Sequence, residues 1–340
     1  MRLLQQDLIN PQLESIQSCI LISQYLGGNG DVKGKHIYIG LARLYLQAIR
    51  LWEAPVNSNI IEREIRRRVC LTVVIADRWS AADMSTSSMI SEEHAAQIPI
   101  LDEVEFMSLQ PGMDQDYIVS FQPSSHGMWA QMAKTIDVFH CISGVISSLA
   151  SHKTTIAAQE KRISHLTQQL DKWVAELPSS LKYTPQNLAH FRAVGLGKTF
   201  LAMHIGHFHF RQLLYFPFLD PLQMQLQPSS NLPSHTPQPN HAYETYAQMC
   251  KINAKLVSDV AQRAFENRGC ELVYYIIGHV LVVSSSVHLH TLLFSEGIVE
   301  ANDARADLVS NFETLMRLKM YWPVIDVSVS QNFQNFLIRT

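Results

Sequence analysis

Between Glu271 and Glu296 the chain runs through LVYYIIGHVLVVSSSVHLHTLLF without one charged side chain. A segment of that length and composition either crosses a bilayer, which takes about 20 apolar residues, or lies at the centre of a large helical protein. His279, His288 and His290 and the serines at 284–286 fall inside it. No Lys/Arg bias at either end marks a cytoplasmic side. The segment therefore reads as a buried helix, apolar on every side, and such a helix needs a shell of other helices around it.

The rest of the sequence supplies that shell. Of 340 residues, 47% are apolar and only 17% charged, so the apolar area available for burial can offset the entropy of ordering the chain. Helical periodicity recurs with short breaks. Asn10 and Pro11 read as cap and first residue of a helix carrying Leu13, Ile16 and Ile20, stopped by GGNGD at 27–31. A second helix is expected to bury Ile37, Leu41, Leu44, Tyr45 and Ala48 and to end near Pro55. Asn59 with Glu62 makes a capping-box pattern for a third, running to about Asp83.

Another helix begins near Met128 or Trp129. Ile163, Leu166, Leu170, Trp173 and Leu177 then form a 3-4-3-4 stripe ended by Pro178. Further helices are expected over about 187–217, 241–266, 271–294, 301–321 and 324–338. Long loops fall near 84–128 and 221–240, where Pro, Ser and Gln replace the helical period. Nothing alternates strand with helix. The expectation is an all-α fold: a single multi-helix domain over residues 1–340.

The five cysteines, Cys19, Cys70, Cys141, Cys250 and Cys270, are too widely spaced for a zinc signature and odd in number, which fits a reducing compartment. A net charge of −3 gives no footprint for a nucleic-acid backbone, so direct nucleic-acid binding is not expected. The basic run Arg63, Arg66, Arg67, Arg68 is interleaved with Glu62 and Glu64. It reads as a salt-bridged helix locking onto Asp77 and Arg78 rather than a phosphate-binding patch. No nucleophile elbow, phosphate loop, dinucleotide fingerprint or Ser/His/Asp arrangement can be read.

Histidines give the one candidate site. On a helix, His204, His207 and Arg211 share a face, whereas His209 lies roughly 140° round from His204 at 100° per residue. The three histidines therefore cannot converge on one metal ion, and no metal or cofactor is expected. His279 lies one turn from Tyr275. An apolar chamber fringed by His204, His207, Arg211, Tyr275 and His279 would suit a small apolar molecule.

Several segments, taken in order, resemble the regulatory middle homology region of fungal zinc-cluster transcription factors. They are ESIQSCILISQYLGGNGDVKGKHIYIGLARLYLQAIRLWEAP, EREIRRRVCLTVVIADRWSA, LTQQLDKWVAELPSSL, HIGHFHFRQLLYFPFL and LMRLKMYWPVIDVSVSQNFQNFL. Together they span nearly the whole chain. The family's zinc cluster and dimerising linker are not found in this sequence. Val69, Cys70 and Leu71 replace an aromatic pair, TSS at 86–88 replaces "G-R-P", and Phe216 replaces the arginine of "R-P-F-L".

The resemblance implies a regulatory domain, nuclear or cytoplasmic, that senses a small apolar metabolite or associates with a full-length zinc-cluster regulator of a fungal, secondary-metabolite type pathway. It would do so without binding DNA itself, and a membrane partner is not expected. The alternative is a stand-alone enzyme on the same fold, a cofactor-independent cyclase or isomerase acting on an apolar terpenoid or polyketide intermediate.

Overall fold

The computed structural model describes residues 10–53, 58–84, 101–110, 126–219 and 241–326. Among these residues every regular element is a helix and none is a strand. In order they are α1 (Leu13–Gly28), α2 (Val32–Ala48), α3 (Ile60–Met84), α4 (Glu103–Ser108), α5 (Met128–Ala150), α6 (Ile156–Glu176), α7 (Pro185–Ala193), α8 (Gly197–Tyr215), α9 (His241–Glu266), α10 (Tyr275–Phe294) and α11 (Ile298–Lys319). Short 3₁₀ turns occupy Ser179–Leu181 and Phe216–Leu219. The chain divides into two compact units, one of Met1–His140 with Leu177–Met203, the other of Cys141–Glu176 with His204–Thr340.

In the first unit α1 and α2 form a hairpin packed on α3. Asp31 caps α2, its Oδ1 accepting from Gly34 N at 2.8 Å. Ile16 and Cys19 of α1, Ala42, Tyr45 and Leu46 of α2, Leu51, and Val69, Cys70, Val73 and Val74 of α3 make one buried cluster. Each fully buried large aliphatic there contributes on the order of 1.5–3 kcal/mol.

Two expectations shift in this unit. α1 opens at Leu13, two residues later than Pro11, because the Gln12 amide donates to Ser15 Oγ at 3.1 Å and fixes the entry there. α2 ends at Ala48, well before Pro55, and is rotated from its expected face. Lys35, Ile39, Ala42, Tyr45 and Leu46 are its buried residues, while Ile37 and Leu44 are 61% and 55% exposed and Ala48 is exposed. HIYIGLARLYL is apolar at most positions, so its period admits several faces, and the one turned inward is centred on Ile39, Ala42 and Leu46. The Asn59 cap stands as expected, its Oδ1 accepting from Glu62 N at 2.8 Å.

The helix expected over 187–217 is two helices. Thr184 caps α7, with Pro185 at its first position and Asn187 N donating to Thr184 Oγ1 at 3.1 Å. The helix stops in a Schellman turn: Gly195 stands at φ +77°, its N–H donates to Arg192 O, and Leu196 N donates to Phe191 O at 2.7 Å. Open space surrounds the position a Cβ would take at Gly195. Gly195→Ala is therefore expected to cost about 1–2 kcal/mol through the left-handed backbone alone, read as a lower urea midpoint at unchanged slope.

In the second unit α6 buries Ile163, Leu166, Leu170 and Trp173, the stripe read from the sequence. α9, α10 and α11 pack on one another. α10 is the central helix, with ten residues buried, among them Leu281, Ser284, Val287 and His288. It is long and apolar enough to cross a bilayer, yet 56% of the relevant window is buried inside the protein, as in a core helix. Trp322 Nε1 donates to Val273 O at 2.6 Å and closes the end of the helix group.

Of the stretch expected as a loop over 84–128, only 101–110 and 126–128 lie among the described residues beyond Met84, and the first of these carries the short helix α4. The loop expected over 221–240 and positions 327–338 of the last expected helix lie outside the described residues; 324–326 are helical.

Candidate functional site

The arginine run forms a buried hub. Glu64 and Arg68, four residues apart on α3, face the same way. Glu64 is fully buried, and its Oε1 accepts from Arg68 Nε at 2.9 Å and from Leu101 N at 3.1 Å. Arg68 Nη2 donates to Leu101 O at 2.9 Å, Nη1 lies 3.6 Å from Glu103, and the guanidinium sits 4.2 Å above the Phe106 ring.

Glu103 then caps α5: its Oε2 accepts from Met128 N at 2.6 Å and its Oε1 from Trp129 N at 3.1 Å. Gly127 is needed beside it, since a Cβ there would stand 3.2 Å from a Glu103 carboxylate oxygen and from Leu101 O. Burial raises the pKa of both Glu64 and Glu103, while Arg68 and the amide donors pull the other way.

The expectation that this run locks onto Asp77 and Arg78 is corrected. Asp77 pairs with Arg43 of α2 at 3.3 Å, and Arg78 with Asp137 at 3.0 Å. Nine residues separate Arg68 from Asp77, which is about 14 Å of helix and half a turn out of phase. The salt-bridged reading of the run survives with different partners. Arg43, of the GLAR segment, and Asp77, of the ADR segment, show that two stretches of the family resemblance meet in space.

The histidine cluster behaves likewise. His207 is 2% exposed and stacks on Trp173 of α6 with ring centroids 4.6 Å apart, while His204 meets the same indole edge-on at 6.5 Å. Arg211 pairs with Asp171 and lies 5.9 Å from the Tyr215 ring, whose hydroxyl bonds Thr167 Oγ1 at 3.1 Å. LTQQLDKWVAEL and HIGHFHFRQLLY are thus joined face to face. Burial first, then Arg211 and His204, push the His207 pKa down to about 3, so it is neutral near pH 7. Trp173 Nε1 and His207 Nδ1 are both buried with no hydrogen-bond partner among the described residues.

The structure brings three of the five expected site residues together at this point: His204, His207 and Arg211. The other two lie in different settings on α10. Tyr275 is 6.2 Å from the Trp322 ring, and His279 is exposed and 5.6 Å from the ring of His209. His209, on the opposite face of α8, is fully buried and bonded by the Gln212 amide at 3.2 Å.

Sequence reasoning missed one constellation. Ser258 Oγ of α9 lies 2.9 Å from His288 Nε2 of α10, and His288 Nδ1 lies 4.0 Å from Asp307 of α11. Ser284 joins at 3.3 Å from Nε2, and Asn311 bonds Ser285 at 3.2 Å. The order Ser–His–Asp imitates a hydrolytic triad, but its chemistry is wrong for one. Ser258 and Ser284 are buried, both hydroxyls lie within bonding distance of Ala254 O, and Ser258 lies within a helix whose amides are already bonded, so no oxyanion site faces it. The network satisfies polar groups inside the apolar helix. Its sequence signal was the placement of SSS and His288 in a helix that must be buried.

A groove of about 610 Å³, whose lining does not include His204 or His207, lies between α9 and α11, lined by residues including Phe265, Arg305, Asp307, Val309 and Glu313.

A family model described as "Fungal specific transcription factor domain" matches residues 3–175, which holds the arginine hub and Trp173. Similar over a longer stretch is the Zn(2)-C6 fungal-type transcription factor FTF1c of Fusarium oxysporum f. sp. lycopersici, 24% identical over 280 residues, or 78% of this chain and 29% of that protein. The chain thus spans less than a third of the length of that curated relative. No solved structure matches it. On the match to half of its length, the chain belongs to the fungal specific transcription factor domain family.

Proposed function

We propose that this chain is a regulatory region of a fungal transcription regulator, acting in the nucleus on or with a full-length zinc-cluster protein, and that it answers to a small apolar metabolite. The observation that carries the regulatory reading is the family match over residues 3–175, together with the similarity to a Zn(2)-C6 fungal-type transcription factor. Support for a ligand comes from Trp173 and His207. An indole N–H and an imidazole nitrogen buried without hydrogen-bond partners among the described residues cost about 1–3 kcal/mol each. A guest offering an acceptor oxygen to the indole and an apolar body to the stacked rings would recover the indole's share of that energy, with Arg211 at its edge.

No specific observation favours the cyclase or isomerase reading. His207 is held neutral down to about pH 3 and covered by Trp173, which is not the poise of a group moving protons near neutral pH.

The test is native mass spectrometry of the chain purified from a fungal host. The expected result is a retained small molecule, lost in both Trp173→Phe and His207→Ala. An unliganded mass for the unaltered chain, or a guest that both variants keep, contradicts the ligand part of the reading.

A further inference from the structure

The outer face of α11 is built symmetrically about Val309. Arg305 and Glu313 lie four residues to either side of it, Asn302 and Met316 seven, Ile298 and Met320 eleven. At 100° per residue these positions fall within an arc of about 80°. All are exposed, Val309 at 53%, Met316 at 60%, Ile298 at 79% and Met320 at 76%. Apolar residues at the two ends and the middle, with opposite charges placed symmetrically between, are what a helix needs in order to pair with an antiparallel copy of itself.

We infer that this chain self-associates through α11, a second copy packing its own α11 antiparallel about a two-fold axis at Val309. Charge complementarity names the occupant. Arg305 and Glu313 are two turns apart on their own helix, too far to pair with each other, and neither makes an ion pair among the described residues. Under the two-fold axis Arg305 of each copy meets Glu313 of the other, so two ion pairs form from one sequence. The same axis sets Ile298 of each copy on Met320 of its partner.

Two grooves run along the stripe, one toward Phe265 of α9 and one lined by Val309, Phe312, Glu313, Met316 and Arg317, so side chains of an incoming helix have places to seat. The 22 residues of α11 give a contact line of about 33 Å. This inference does not rest on the regulatory reading.

Sedimentation of the full chain over about 1 to 100 µM is expected to show a reversible monomer–dimer equilibrium. Arg305→Glu and Glu313→Arg each set like charges together and are expected to weaken the dimer by about tenfold or more, and the double reversal to restore most of it. Val309→Cys, with its sulfur on the axis, is expected to give a disulfide-linked dimer on mild oxidation, while Asp303→Cys, turned about 120° away, is not. A monomer throughout the concentration range overturns the inference. So does a dimer indifferent to both single reversals, or a Val309→Cys chain that cross-links no faster than Asp303→Cys.

Discussion

Arg68→Ala is expected to lower the free energy of unfolding by about 3–5 kcal/mol, the loss typical when one partner is removed from a buried charge pair. The size follows from what the guanidinium holds. Glu64 is fully buried, and without Arg68 its carboxylate keeps only the Leu101 amide and a more distant contact to Arg67 at 3.7 Å. Leu101 O loses its donor. Glu103 loses its nearest cation while still holding the two first amides of α5.

Lysine at position 68 is not a remedy, because a single ammonium cannot reach Glu64, Leu101 and the Phe106 face together. Lys172→Ala, which removes an exposed pair with Glu176, is expected to change stability by about 0.5 kcal/mol or less. Urea unfolding of the three variants checks this. An Arg68→Ala midpoint within the error of the Lys172→Ala midpoint would show that the hub is not a stabilising unit.

Acidification gives the second large effect. His207 is pushed down to about 3 and His288 to about 4, and His209 lies well below its ordinary value, in each case first by burial. Arg211 and His204 add to the effect at His207, Lys255 at His288 and His279 at His209. A depressed histidine binds fewer protons folded than unfolded, so its contribution is fully present above about pH 6.5 and is lost as pH falls toward the folded value.

Glu64, Glu103 and Asp307 have raised pKa values and act oppositely, but only as pH approaches the ordinary carboxylate range from above. Between pH 7 and 5 the histidines dominate, each by up to about 2 kcal/mol, and stability is expected to fall by about 4–6 kcal/mol. His288→Gln, which has no ring to protonate, is expected to flatten that slope. A urea midpoint that is unchanged or rises between pH 7 and 5 would contradict the burial assigned to these rings.

How much of this was legible in the sequence varied with how local the cause was. The α6 stripe and the bounds of α9 were readable, because a 3-4 period and abrupt changes of composition are properties of one segment. The face of α2 was not, since a helix apolar at most positions carries no clear phase, and the choice was made by packing in the hairpin. The break at Gly195 was hidden because apolar residues keep a helical period on both sides of it, from Leu188 and Phe191 to Phe200 and Leu201.

Site residues followed the same rule. The shared face of His204, His207 and Arg211 was fixed by spacing on one helix. Their partners Trp173 and Asp171, and the separation of His279 toward His209, depended on packing that no spacing encodes. Arg68 was misassigned for a related reason. Its partners Leu101 and Glu103 sit in a stretch without helical period, and nothing in that stretch advertised a cap for a helix beginning 25 residues later.

As proposed above, the chain regulates transcription through a ligand-responsive helical domain. The most direct measurement is a reporter assay in a fungal host, with residues 1–340 fused to an unrelated DNA-binding module that is inert alone. Reporter output is expected to depart from that of the bare module by about fivefold or more, and His207→Ala to remove most of the departure while leaving the protein folded and abundant. Output equal to the bare module under every growth condition, from a fusion that is folded and nuclear, would contradict it.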